Sequence, residues 1–218
     1  MAYSAATILA LASQCAPTVA PQTVLAIIQT ESKGHPLALN VNGARQPGRQ
    51  TSTAHAITTA RRFIAAGYSV DLGLGQINSR NMRWLSLNWE TVFDPCTNVA
   101  AIGHVLTQNY NAVKAGRDPQ TALRIALSMY NTGSQTRGFR NGYVAKVVRN
   151  ARAANSNIPF IESSENSAYR ESLVAENIAS RAPAETSRPV PPPKWNLFER
   201  AAYERETKTL ARHERRGI

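Results

Sequence analysis

Residues 25–36 read LAIIQTESKGHP, and the fold turns on how this stretch is read. Pro21 stands where a first helical residue is favoured. Val24, Leu25, Ile27 and Ile28 then recur at helical spacing until Gly34 supplies a stop. The stretch is therefore the end of an amphipathic helix, and Glu31 interrupts its apolar stripe. Glu31 lies seven, four and three residues beyond Val24, Ile27 and Ile28, so it projects from the same face as those core-directed side chains. Burial and the negative end of the helix dipole both favour the protonated form there. A carboxyl that keeps its proton near neutral pH is what a general acid needs. The plainer alternative is that Glu31 turns to solvent at the last turn or pairs with Lys33.

Working outward, a second periodic run covers about 54–66 (AHAITTARRFIAA) and ends at Gly67. Asp94-Pro95-Cys96 reads as an N-cap followed by Pro, opening a third helix through Val99, Ile102, Val105 and Leu106 toward Tyr110. A fourth runs from about Pro119 to Tyr130 and is broken by Asn131-Thr132-Gly133. Between the first two helices, VNGARQPGRQ carries Asn-Gly and Pro-Gly turn signals with little apolar material around them. That leaves room for a small irregular or β-like excursion but not for a real sheet. The fold expected is mainly α.

The composition divides the chain near residue 150. Residues 1–150 hold 14 Lys and Arg against five acids, and residues 151–218 hold 11 against nine, so most of the net +11 belongs to the first part. The second part passes through a Ser, Asn and Glu-rich stretch and RPVPPPKW to the charged run FERAAYERETKTLARHERR. A domain over 1–150 and a Pro-containing, charged tail over 151–218 are expected, the tail being either a solvated linker or a docking segment.

A basic globular surface concentrates polyanions, which include nucleic acid, anionic lipid and acidic wall polymer. Nucleic acid is disfavoured: the basic residues are scattered, only Arg61 and Arg62 are adjacent in the first part, and no helix-turn-helix or zinc spacing appears. His35, His55, His104 and His213 stand far apart and no HExxH occurs, so neither a metal nor another cofactor is expected. No stretch approaches the roughly 18 apolar residues of a membrane span. Residues 1–12 are mildly apolar but lack a basic start and a clear cleavage site, so a secretion signal is not evident. Cys15 and Cys96 are either two buried thiols or a bridge worth on the order of 4 kcal/mol.

Two further segments bear on Glu31. DLGLGQIN (71–78) places two glycines around Leu74 just before Gln76, a tight turn through which backbone and an amide can approach a ligand. SMYNTGSQ (128–135) puts a tyrosine hydroxyl and an amide at a helix end. Taken alone, the first is an ordinary Gly-rich loop and Tyr130 a half-buried packing residue. Taken in order, QCAPTVAPQTVLAIIQTES, VNG, DLGLGQINSRN, FDPCTNVAAI, ALSMYNTG and GFRNGYV resemble the lytic transglycosylases with a goose-lysozyme-like catalytic domain. The resemblance is closest to the VirB1-like branch, which serves type IV secretion and conjugation machines.

That resemblance implies an α+β lysozyme-like fold with a long groove for peptidoglycan glycan strands. It implies a lyase that cuts the β-1,4 bond between N-acetylmuramic acid and N-acetylglucosamine and leaves a 1,6-anhydro end. Glu31 would be the single catalytic acid. Ser32 and Tyr130 would orient it, Gln76 and Asn131 would contact sugar amides, and Tyr143 would line the groove. A periplasmic location would follow from the wall substrate, oxidising Cys15 and Cys96 to a disulfide, and the tail would be free to meet secretion components. A lysozyme-type hydrolase would need a second carboxylate. Among Asp71, Glu90, Asp94 and Asp118, only Asp71 lies inside a resembling motif, which keeps a muramidase as one alternative and a weakly active wall-binding assembly factor as another. The chain also departs from the family, with Gly75 where Met is usual and Met129 where Ala is usual. Gly75 is expected to remove a side chain from the floor beneath the acid.

Overall fold

The computed structural model describes residues 1–156. The proposed tail lies outside the described residues, apart from its first six positions. Among the described residues there are seven α-helices, one of them buried beneath its neighbours, and a small sheet stands at one side.

The central element is α2 (Pro21–Glu31), which begins at Pro21 and buries Thr23, Val24, Leu25, Ala26, Ile27 and Ile28 in succession. So continuous a buried run means that α2 is covered on more than one face. α1 (Ala5–Cys15) covers one of them. Its N-cap Ser4 accepts from the Thr7 N–H at 3.1 Å, Ile8 and Ala12 are fully buried, and the Tyr3 N–H donates to the Gly34 carbonyl at 2.8 Å. α7 (Tyr143–Ser156) covers another, through buried Val144 and Val147 and through an Asn150 amide that donates to the Thr30 hydroxyl at 2.9 Å. This helix runs past residue 150, beyond the break in composition.

α4 (Pro95–Val113) and α5 (Pro119–Thr132) open in the same way, with an Asp cap followed by Pro. Asp94 accepts from the Thr97 N–H at 2.8 Å and Asp118 from the Thr121 N–H at 2.9 Å. α5 ends where Gly133 turns left-handed at φ 66°, a conformation that costs a glycine little. Between α5 and α7, the single turn α6 (Arg137–Arg140) lets the chain reverse. At the α1–α4 boundary, Cys15 and Cys96 form a disulfide with Cα atoms 5.4 Å apart.

The excursion expected to be small and irregular or β-like is β at its start, and it belongs to a real three-stranded sheet, which corrects the expectation that there is no room for one. β1 (Leu39–Val41), β2 (Val70–Leu72) and β3 (Ile77–Asn78) pair antiparallel in the order β1-β2-β3. α3 (Thr53–Ala65) intervenes in sequence between the first two strands. β1 therefore has no partner within its own turn-rich neighbourhood, and its pairing is non-local. The sheet and α3 enclose a second core of Val41, Ala56, Ala60, Val70, Leu72 and Phe93, separate from the first core beneath α1, α2, α4, α5 and α7. The groove opens where the two cores meet.

Candidate active site

Glu31 is the last residue of α2 and stands at that junction. Its position follows from helical spacing, since the apolar stripe that buries α2 carries the carboxyl to the rim of the core. Two clefts meet at it. One, of about 680 Å³, runs over the sheet and along α4 and α5; the other, of about 410 Å³, runs beneath the 35–51 segment. Glu31, Asn40 and Gln76 line both, so a single groove passes the carboxyl on either side.

Burial raises the Glu31 pKa from 4.5 to about 7; the hydrogen bond from Tyr143 lowers it, the Asp71 charge raises it and the Lys146 charge lowers it. Burial wins because a carboxylate at this rim has lost most of its water, and one hydrogen bond replaces only part of that loss. The Tyr143 hydroxyl donates to Glu31 Oε1 at 2.7 Å. Burial, followed by the nearby Glu31 charge, pushes both the Tyr143 and Tyr130 hydroxyls well above their ordinary range, so both remain donors.

Of the residues inferred from sequence, Glu31, Ser32, Asp71, Gln76, Tyr130 and Asn131 line the clefts, whereas Tyr143, expected to line the groove, is buried in the first core and reaches it only through Glu31; several hold partners other than those expected. Ser32 is buried and its hydroxyl donates to the Ile28 carbonyl at 3.3 Å, closing the helix end instead of touching Glu31. Tyr130 donates to the Gly75 carbonyl at 2.7 Å, so it braces the glycine loop, and the tyrosine that holds the acid is Tyr143. Gln76 takes a positive φ of 49°, and its amide nitrogen donates to the Gly73 carbonyl at 2.9 Å and the Ala38 carbonyl at 3.2 Å. Asn131 is exposed in the larger cleft. It accepts from the Asn141 amide at 2.8 Å, and Asn141 in turn accepts from the Tyr143 N–H at 3.1 Å. Asn131 is thereby tied to the residue that holds Glu31.

Gly75 leaves no hollow under the acid. A Cβ there would meet Ile102 Cγ1, approach Ile102 Cδ1 to 2.8 Å and approach the Tyr130 hydroxyl oxygen to 2.9 Å. Ile102 and Tyr130 fill the space in which the family methionine was expected.

Sequence reasoning missed Asn98, Trp84 and the asparagines around Asp71. Asn98 is buried in α4; its carbonyl accepts from the Gly75 N–H at 2.8 Å while its amide donates to the Val92 and Leu72 carbonyls at 2.8 and 3.1 Å. It locks the glycine loop from behind, and its place one turn into the helix after Asp94-Pro95 was its only signal. Trp84 is 45% exposed, lines the larger cleft and lies 5.6 Å from the His104 ring. Asp71 faces the same cleft as Glu31, surrounded by side-chain amides.

Among the described residues, no cluster of three or more His, Cys, Asp or Glu side chains could hold a metal ion, and no helix is long and apolar enough to cross a membrane. What the site offers is one proton donor poised near neutral pH, a rigid glycine loop facing it, and amide-rich walls.

A mainly helical domain with a small sheet, and an acid at the end of its buried helix, is the architecture of a transglycosylase-type lysozyme fold. Residues 8–152 match the transglycosylase SLT domain, and the chain belongs to that family. Within it the chain is similar to VirB1 proteins. It is 37% identical over 184 residues to the type IV secretion system protein virB1 of Brucella suis, covering 81% of this chain and 77% of that protein. It is 41% identical over 136 residues to protein virB1 of Agrobacterium fabrum, covering 62% of this chain and 56% of that one. No solved structure matches the chain.

Proposed function

We propose that this protein is a peptidoglycan lytic transglycosylase that opens the wall locally for a type IV secretion or conjugation apparatus. The observation that carries the reading is Glu31: a single carboxyl with its pKa raised to about 7, at the midpoint of a groove, held by a tyrosine. Protonated Glu31 donates to the glycosidic oxygen between N-acetylmuramic acid and N-acetylglucosamine, and the bond from that oxygen to C1 breaks. The substrate's own acetamido group stabilises the cation left at C1. Glu31, now a carboxylate, takes the proton of the C6 hydroxyl as that oxygen bonds C1, closing the 1,6-anhydro ring and restoring the acid. One carboxyl suffices for the cycle.

The role in secretion rests on the similarity to virB1 proteins, and the periplasm is the compartment that holds the substrate. An oxidising compartment also suits the Cys15–Cys96 disulfide. A muramidase using Asp71 as the second carboxylate is the competing reading, because Asp71 lines the same cleft as Glu31. Digestion of purified peptidoglycan, read by mass spectrometry beside Glu31→Gln, separates them. Muropeptides with 1,6-anhydro ends that vanish in the variant are the expected result. Reducing ends would make the enzyme a hydrolase. Wall binding with no products would make it an assembly factor.

A further inference from the structure

The register of the sheet places Asn40 opposite Asp71 and Asp71 opposite Asn78, so three polar side chains form a cross-strand row along the wall of the larger cleft. Asp71 is the hub of this row. Its Oδ2 accepts from the Asn40 and Asn42 amides, both at 3.0 Å, and its Oδ1 accepts from the Asn78 amide at 2.6 Å. An ionised carboxylate can only accept, which fixes the Nδ2 end of each asparagine toward Asp71. Asn78 is held twice, because its carbonyl also accepts from the Arg80 N–H at 3.1 Å. Asn40 and Asn42 are held on their amide ends, so their carbonyl oxygens point away from Asp71 on residues that line the cleft.

We propose that Asp71 is a positioning residue that orients Asn40 and Asn42, presenting their carbonyls as a subsite for the N–H donor of an acetamido sugar. The inference rests on the reading of the groove as a glycan site and assigns Asp71 a role other than that of second catalytic carboxylate. Two oxygens engaged with three amides leave little of the carboxylate for an attack on C1 or for activating a water. The same engagement makes Asp71 a good template: removing its charge frees Asn40 to flip and leaves the Asn42 amide only its 3.4 Å bond to the Ser69 carbonyl, which mixes donors with acceptors at the wall.

The test uses the full chain carrying Glu31→Gln, so that bound sugar is not consumed. Calorimetry measures affinity for an N-acetylglucosamine oligomer and for its de-N-acetylated counterpart at mildly alkaline pH, where the free amines are uncharged. Adding Asp71→Asn is expected to weaken the acetylated oligomer roughly ten-fold while changing the free-amine oligomer by less than about two-fold. Asn42→Ala, at an exposed position, is expected to do the same to a smaller extent with an unchanged melting temperature. Equal losses on both oligomers, or no loss on either, would overturn the proposal. If Asp71→Asn does not fold, Asn42→Ala decides alone by whether the preference for the acetylated oligomer narrows. In the variant that retains Glu31, Asp71→Asn should raise KM and spare kcat, with 1,6-anhydro products kept; a collapse of kcat at unchanged KM would instead make Asp71 catalytic. A protein that binds the acetylated oligomer selectively yet cuts no wall would sink the proposed reaction and leave the subsite standing.

Discussion

The Tyr143 hydroxyl reaches Glu31 Oε1 at 2.7 Å across 112 positions of sequence, from the first residue of α7 to the last residue of α2. The bond has two consequences with opposite signs. It fixes the carboxyl in the groove, and it lowers the carboxyl's pKa against the burial that raises it. Tyr143→Phe should therefore cut kcat by roughly ten-fold through lost orientation. It should also move the alkaline fall of the pH–rate profile upward, because Glu31 holds its proton more tightly without the donor. A profile whose alkaline limb moves down, or stays in place, would contradict this account of the site.

Glu31 also links stability to pH. Its folded pKa of about 7 exceeds the ordinary 4.5, so its contribution is fully favourable below about 4.5 and is lost as pH rises through about 7. Glu31→Gln carries no such charge. The variant should match the wild type in acid and exceed it above about pH 7 by a margin on the order of 3 kcal/mol. Denaturant melts of both proteins on either side of that window would measure the difference. Peptidoglycan cleavage by the variant should fall by at least about a hundred-fold.

The disulfide closes a loop of 81 residues that contains α2, α3 and the sheet. Chain entropy alone gives it on the order of 4 kcal/mol. Cys96→Ser should lower the melting temperature markedly, and titration of the unfolded wild type should reveal free thiols only after reduction. Unchanged melting under reductant would show that α1 and α4 hold together without it.

Gly75 and Ile102 should behave as one unit. Gly75→Met, which restores the residue usual in the family, meets Ile102 and displaces the Tyr130 hydroxyl from the Gly75 carbonyl. It should cost about 1–3 kcal/mol. Adding Ile102→Ala opens the space and should recover much of that loss, and a double-mutant cycle measures the coupling directly. Additive losses would mean that the two residues do not share one volume.

Four helices were legible from marked ends and apolar period: Pro21 opens α2, Asp94-Pro95 opens α4, Pro119 opens α5, and α3 shows in its periodic run up to Gly67. α1 carries only Ser4 as a start signal and buries just Ile8 and Ala12, so its pattern is faint. In α7 the buried stripe of Tyr143, Val144 and Val147 is interleaved with Lys146, Arg149 and Arg152, which blurs its apolar period. The sheet was hidden because two- and three-residue strands carry almost no alternation, and β1 finds its partner only beyond α3.

At the site, Glu31 stood out because a charge in an apolar stripe breaks a local rule, and local rules are what sequence displays. Which tyrosine touches it is a tertiary fact. Tyr130 and Tyr143 both stand at helix ends, and only the packing of α7 on α2 sends one to the acid and the other to the glycine loop. The asparagines of the wall sit in two segments and their hub Asp71 in a third, and the strand register that unites them is not written in any one of them.

The placing of α2 between α1 and α7 also bears on the order in which the chain is made. Everything local to Glu31 leaves the ribosome early, yet the surface that buries the acid and the phenol that holds it arrive with the last helix described. A chain halted before Tyr143 has the carboxyl without its clamp, and α2 without the helix that covers one of its sides. The carboxyl and its clamp thus come from opposite ends of the described domain, and the site is complete only when both are in place.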